Sequence, residues 1–459
     1  MKNSLLNKWL WKWHVIAGLI TLPFMLLLAI TGTIYLFKDN VNHQLYNTLI
    51  FAKQPSVLTG SNRAVLPLTA QLSAANNSLT QNQQGKLVKV DTVILSSSTD
   101  QNTEFSVTGK GRSSDSVYVN QYSGNVTGQL NHKDTFMFTV RKLHGELLLS
   151  KLGTLTVELV ASWFIVLILS GLYIWWPKQG IGFAGFFTIR IKRGSRIFWR
   201  DIHAVMGFWL SAFMLIILAG GMPWTDVFGS QLKWIQSQTH TGYPMHWRNS
   251  KGLESTLNVT GILSAEILNA EISTTELATN EHSQVTNPYT KKLNITDIAA
   301  IAEQQQLKGK ITINFPQSEM GVYTVTNRAL YLDDQQVLHI DQYSGQIIKQ
   351  LTWDDVGALM NLRQIFMRLH QGEYGLVNWS VLLAVALLLS LSTVGSVVSY
   401  IKRKPKGEWG IPKVPERFKV GKRLVVSILL LGIVFPMFGA SLLIIGLFEL
   451  KSTLIKDNQ

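Results

Sequence analysis

Four of the ten histidines in this 459-residue chain stand at the edges of long apolar runs. "WKWHVIAG" (11–18) and "RDIHAVMG" (200–207) open two such runs, each with a glycine four residues after its histidine. "VRKLHGELLL" (140–149) and "MRLHQGEYGL" (367–376) precede two others, each with a basic residue shortly before a Leu-His pair. Imidazole is the side chain best suited to bind a metal or move a proton near neutral pH. An ionisable group at the border of a membrane-length run is a functional candidate. Each of the four, taken singly, is equally well read as an inert interfacial side chain. The chain has no cysteine, which excludes thiolate-ligated clusters and C-x-x-C-H haem attachment.

The elements that must position these histidines are apolar. The composition is 46% hydrophobic, and uncharged runs cover 13–37, 159–176, 202–225, 374–401 and 424–448. Each has roughly the 20 residues a helix needs to cross a hydrocarbon core. The second extends back to residue 152 if Glu158 lies at the interface. The first is too long for a signal peptide and lacks an A-x-A site, so it reads as a retained span. The expected architecture is an α-helical integral membrane protein with five transmembrane helices: an N-terminal segment and first span (1–37), then 152–176, 202–225, 374–401 and 424–448. Pro23 and Pro436 are places where the first and fifth could kink.

Charge sets the orientation. Segments 1–12, 177–201 and 402–423 hold eighteen basic residues and three acidic ones, a net +15 against +14 for the whole chain, so everything else sums to −1. The basic pI of 9.7 is therefore a positive-inside signature rather than a nucleic-acid-binding patch. It places the N-terminus in the cytoplasm with basic loops 177–201 and 402–423. The polar segments 38–151 and 226–373 and the tail 449–459 fall on the other side.

The order of features occurs twice. His14 and Gly18 match His203 and Gly207, and Gly32 and Gly221 both lie 18 residues after their histidine. "VYVNQYSGNVTGQL" (117–130) matches "LHIDQYSGQIIKQL" (338–351), each reading as strand, tight turn, strand. His144 and His370 follow, then a span. The chain is expected to be internally duplicated, with a pseudo-two-fold axis along the membrane normal and the functional site at the repeat interface. In the second outer segment, 294–307 carries helix start signals, while "KITINF" and "GVYTVTN" alternate as strands do. The first offers strands in "KLVKVDTVIL", "EFSVTGK" and "SVYVNQYSGNVTGQL". Both look like small α+β modules, and 250–292 reads as a long loop.

The helix, strands and "QYSG" hairpin resemble the PepSY domain, and "RKLHGELLL" before a span ending "SGLYIWWPK" resembles the PepSY-associated transmembrane family. The resemblance runs from about Trp9 to Tyr400. The second half departs from it, with "LHQGEYG" for "LHGELLL" and "STVGSVVSYIKRK" for the Trp-Trp-Pro end. The family includes haem-carrying bacterial inner-membrane ferric-siderophore reductases. The resemblance thus implies a bacterial inner-membrane location, two periplasmic PepSY-like domains and a ferric siderophore as the periplasmic substrate.

Haem iron takes axial imidazoles, and repeat-equivalent histidines across a pseudo-two-fold axis would supply one to each face. Pairing by depth joins His14 with His203 near the inner face and His144 with His370 near the outer. The first span rises about 35 Å, so these are two sites. Two noncovalent haem b groups would form an electron path, entered at the inner pair and left at the outer. Lys12 and Arg200 near the inner pair, and Arg141, Lys142 and Arg368 near the outer, suit propionates, although ordinary interfacial charge explains each singly. Gly18 and Gly207 would admit a flat ring, but close helix packing is at least as good a reading.

Other features rank lower. His240 and His246, in "HTGYPMHW", could touch a metal chelate but read more simply as surface-loop residues. His43, His132, His282 and His339 belong to the polar segments. Glu158 could help a proton follow an electron, with simple interface placement preferred. "GIGFAG" (180–185) fits a dinucleotide fingerprint but follows a span within a basic loop, where no βαβ unit fits. The electron donor must be external, a quinol or a cytoplasmic reductase, and no catalytic acid, base or nucleophile is expected. A competing reading is a membrane-anchored PepSY sensor or interaction protein with structural histidines. A transporter is weaker, because the spans lack interior charges and paired broken helices.

Overall fold

A computed structural model describes residues 2–52, 64–81, 89–96, 98–109, 112–177, 185–255, 292–415, 418 and 420–457. The chain divides into two units. A helical unit takes residues 1–38, 136–242 and 358–459, and a sheet unit takes 39–135 and 243–357. Most of the 250–292 segment and of "GIGFAG", and His282, lie outside the described residues.

The helical unit holds α1 (Lys2–Leu36), α2 (Phe136–Glu146), α3 (Ser150–Trp175), α4 (Ser195–Gly221), α5 (Val227–Gln238), α6 (Ala358–Gln371), α7 (Gly375–Arg403), α8 (Lys422–Val434) and α9 (Pro436–Asp457). Among the described residues, α1, α3, α4 and α7 supply the four segments long and apolar enough to cross a membrane. Such helices satisfy their backbone internally, which permits large apolar side chains outside: Ile20, Trp209 and Leu387 are all more than half exposed. α1 and α4 each pack on both α3 and α7. Ile168, Leu210, Met214 and Val385 are buried together between α3, α4 and α7. α1 runs through Pro23 without a break.

The expected fifth span, 424–448, is not one continuous helix. Proline cannot donate to the preceding turn, and the chain breaks at Phe435–Pro436 into α8 and α9. The two helices touch at Gly432 and Gly439, where a Cβ on Gly439 would stand 2.5 Å from the Gly432 carbonyl oxygen. α9 is pinned to α3, with Trp163 Nε1 donating to Ser441 Oγ at 3.1 Å.

Two tight turns follow the helices that carry His144 and His370. α2 reverses into α3 through Leu147, Leu148 and Ser150, all with positive φ, whereas α6 turns into α7 through Gly372 and Gly375. Glu158 lies in α3. It is fully buried, and its carboxylate accepts from Val227 N at 2.9 Å and Phe228 N at 2.8 Å, filling the N-terminal donors of α5.

In the sheet unit, β1 (Thr92–Ile94), β2 (Thr103–Gly109), β3 (Arg112–Val119), β4 (Val126–Asn131), β5 (Lys310–Asn314), β6 (Val322–Arg328), β7 (Gln336–Asp341) and β8 (Ile347–Thr352) form one sheet in the order β4-β3-β2-β1-β5-β6-β7-β8. The two expected modules are therefore joined, with β1 antiparallel to β5 at the centre and Val93 opposite Ile313. Among the described residues of "KLVKVDTVIL", Thr92–Ile94 form the strand. Helices Leu68–Gln81 and Ile295–Gln304 close one core over Phe105, Val117, Ile313, Val325 and Leu338, all fully buried. Asn294 caps the second helix in a reciprocal box with Asp297, as the start signals predict.

Both "QYSG" turns are internal staples. The Gln121 amide donates to the carbonyls of Ser98, Thr99 and Gln101, and the Gln342 amide to those of Ser318, Glu319 and Gly321. Gly124 and Gly345 each take φ +73 to close the turn.

Candidate functional site

α1 and α4 bring His14 and His203 face to face, with ring centroids 6.4 Å apart and planes at 62°. α2 and α6 do the same for His144 and His370, at 6.1 Å and 63°. Both pairs are the ones that pairing by depth expects. Two imidazoles bonded through nitrogen to opposite faces of one metal ion, at about 2 Å each, would hold their centroids about 6.3 Å apart.

Hydrogen bonds fix which nitrogen is available. His14 Nδ1 is 2.9 Å from Ser170 Oγ, whose hydroxyl donates to Leu167 O. His144 Nδ1 is 3.0 Å from Thr31 Oγ1, whose hydroxyl donates to Leu27 O. With both hydroxyl hydrogens spent, the imidazole Nδ1–H is the donor. His203 Nδ1 donates to Ser392 O at 3.3 Å and His370 Nδ1 to Ile217 O at 2.8 Å, since a carbonyl can only accept. Among the described residues, nothing hydrogen-bonds to any of the four Nε2 atoms. Each ring is thus held by its inner nitrogen and keeps the lone pair of the outer one, the arrangement of a metal-ligating histidine.

Glycines make room for the rings. Gly171 packs on His14, Gly32 on His144 and Gly221 on His370, each with Cε1 3.2–3.3 Å from where a Cβ would be. Gly18 and Gly207 do something different. A Cβ on either would meet nothing within 4 Å, so the helix-packing reading of these two is corrected. They line a cavity of about 930 Å³ together with His14 and His203. No group of three or more His, Cys, Asp and Glu suited to a bare metal ion occurs among the described residues. Two opposed imidazoles need a group that brings the remaining ligands with it, and a flat macrocycle beside two bare glycines fits that requirement.

The basic residues divide. Arg200 lines the cavity, its guanidinium held by Asp201 at 2.8 Å and over the Trp175 ring at 5.8 Å. Lys12 is not among the lining residues and sits over Trp13 at 5.8 Å. Arg141 lies over Phe138 at 4.8 Å, Lys142 pairs with Glu146 at 3.2 Å, and Arg368 is buried. Arg193, Arg196 and Arg403 also line the cavity. Sequence reasoning had assigned them to topology alone. It also missed Ser170 and Thr31, whose signal is a hydroxyl residue directly before a glycine inside an apolar run.

The other described histidines lie elsewhere, His240 in the helical unit and His43, His132, His246 and His339 in the sheet unit. His240 is exposed. The His246 carbonyl accepts from His339 Nε2 at 2.9 Å, and His339 is fully buried against Thr324. Burial holds the His339 imidazole below its ordinary pKa, outweighing that bond. His43 packs on Phe51. His132 bonds Glu104 at 3.0 Å. Burial alone would raise the Glu104 carboxyl, but His132, Lys310 and Ser116 pull it down to about 2.

A family model described as PepSY-associated TM region matches residues 11–403. No curated protein matches the chain.

Proposed function

The chain belongs to the PepSY-associated TM region family, and we propose that it is a bacterial inner-membrane di-haem b protein that reduces ferric iron in periplasmic siderophore chelates. The observation that carries this reading is the two opposed imidazole pairs, each ring donating through Nδ1 and keeping Nε2 free. His14 and His203 would hold one haem, and His144 and His370 the other. When bound, the two haems supply single-electron transfer from an external donor to ferric iron. Hard oxygen ligands hold Fe(II) less well than Fe(III), so the reduced iron is released for uptake.

The chain's own residues do the positioning. Ser170, Thr31 and the carbonyls of Ser392 and Ile217 fix tautomer and ring orientation. Arg200 offers a charge-assisted bond to a propionate, and the apolar walls exclude water. The donor, a quinol or a cytoplasmic reductase, delivers on the basic side.

Internal duplication supports the pairing. The sheet is a mirrored pair of four-stranded halves, and both "QYSG" staples repeat bond for bond. The positive-inside charge supports an orientation with the N-terminus in the cytoplasm and the sheet unit in the periplasm.

The test is the visible spectrum of protein purified after expression with ample haem supply. A Soret band whose pigment acid–acetone extracts completely is expected. A colourless protein would contradict the proposal and leave the sensor or interaction-protein reading.

A further inference from the structure

The cavity at the His14/His203 pair carries more positive charge than two propionates would need. Arg193, Arg196, Arg200 and Arg403 line it, and no aspartate or glutamate is among the lining residues. Arg200 alone of the four has a carboxylate, Asp201, and must share it with Arg190, which takes both oxygens at 2.7 and 2.8 Å. Among the described residues no carboxylate pairs with Arg193, Arg196 or Arg403. Arg403 stacks on Trp11 at 4.6 Å and donates to the Gly410 carbonyl at 3.1 Å. Gly194 and Ser195 also line the cavity where α4 begins without a side-chain cap, adding backbone N–H donors to the same region.

Arg193, Arg196 and Arg200 are exposed and Arg403 is half-buried, so water screens much of their repulsion, yet together they offer a multiply charged anion a site that no carboxylate of the lining competes for. Five guanidiniums less one carboxylate leave four positive charges. Two propionates would leave two, about the charge of one phosphate monoester. We infer that this cavity also binds a phosphate-bearing ligand, held by Arg193, Arg196 and Arg403. The charge count rests on the haem reading, while the unpaired arginines do not. The phosphate has two possible sources on the basic side of the bundle: an anionic lipid headgroup, or a flavin mononucleotide. The second would make the site the donor site. A reduced flavin passing to its oxidised form releases two electrons and two protons, one electron for each of two haems.

The experiment uses the haem-loaded full chain in phosphatidylcholine nanodiscs, with Arg196→Gln and Arg403→Gln beside the parent. Flavin mononucleotide binding is followed by fluorescence quenching, with riboflavin as the phosphate-free control. Separately, phosphatidylglycerol retained through detergent exchange is measured by phosphorus content. If the flavin is the source, flavin mononucleotide binds, riboflavin does not, and each variant weakens binding at least tenfold. If the lipid is the source, retained phosphatidylglycerol falls in both variants and no flavin binds. The inference is overturned if neither ligand binds, if riboflavin binds as well as its phosphate, or if both variants bind like the parent. The Soret band, recorded on the same samples, reports separately on the haem reading.

Discussion

At the residue scale, each imidazole gives its Nδ1 hydrogen to the bundle and leaves Nε2 to an outside partner. Ser170 is the clearest test, because its hydroxyl both accepts from His14 and donates to Leu167. Removing such a support costs a metal site about ten- to a hundredfold in affinity. Ser170→Ala should therefore weaken one haem by roughly that factor in an apomyoglobin-transfer assay while the other is unchanged, and Ser170→Thr should restore it. Glu104 tests the sheet unit. Its folded pKa of about 2 lies below the ordinary 4.5, so its charged form stabilises the fold above pH 4.5 and that contribution is lost as pH falls towards 2. Glu104→Gln should cost about 1–3 kcal/mol near pH 7 and almost nothing near pH 2, read from chemical denaturation. The four histidines were legible because each stands in a short pattern that recurs at the border of a second apolar run. Their partners were not, since Ser170 lies 156 positions from His14 and serine is ordinary in a membrane helix.

At the element scale, Gly18 and Gly207 separate a cavity for a flat ligand from a helix–helix contact. Both face open space, so a Cβ there meets no protein atom within 4 Å. Gly207→Leu should leave the haem-free protein unchanged or about 1 kcal/mol more stable, as glycine is a poor helix former. It should also block haem at the inner pair, read as about half the parent's haem content by pyridine haemochrome. A marked loss of stability in the haem-free variant would restore the packing reading. The four long helices were legible because a membrane span needs an unbroken apolar run. The break at Pro436 was half legible, since proline marks a kink but does not say that the helix will end. The capping of α5 by Glu158 was hidden, because it joins residues 69 and 70 positions apart.

At the scale of the whole molecule, the structure holds two opposed imidazole pairs and one sheet whose four-stranded halves meet at antiparallel β1 and β5, the arrangement that an internal duplication would produce. Repeat order made the pairs legible. The fusion of the outer modules into one sheet was not, because an edge strand does not announce its partner. The central claim is that four histidines form two bis-imidazole haem sites, and low-temperature electron paramagnetic resonance of the oxidised protein tests it most directly. The parent should show two low-spin ferric signals. His14→Ala and His203→Ala should each remove or convert the same one, and His144→Ala and His370→Ala the other. A parent without low-spin haem signals, or a His14→Ala and His144→Ala pair that perturbs one common signal while leaving the second untouched, would contradict the account.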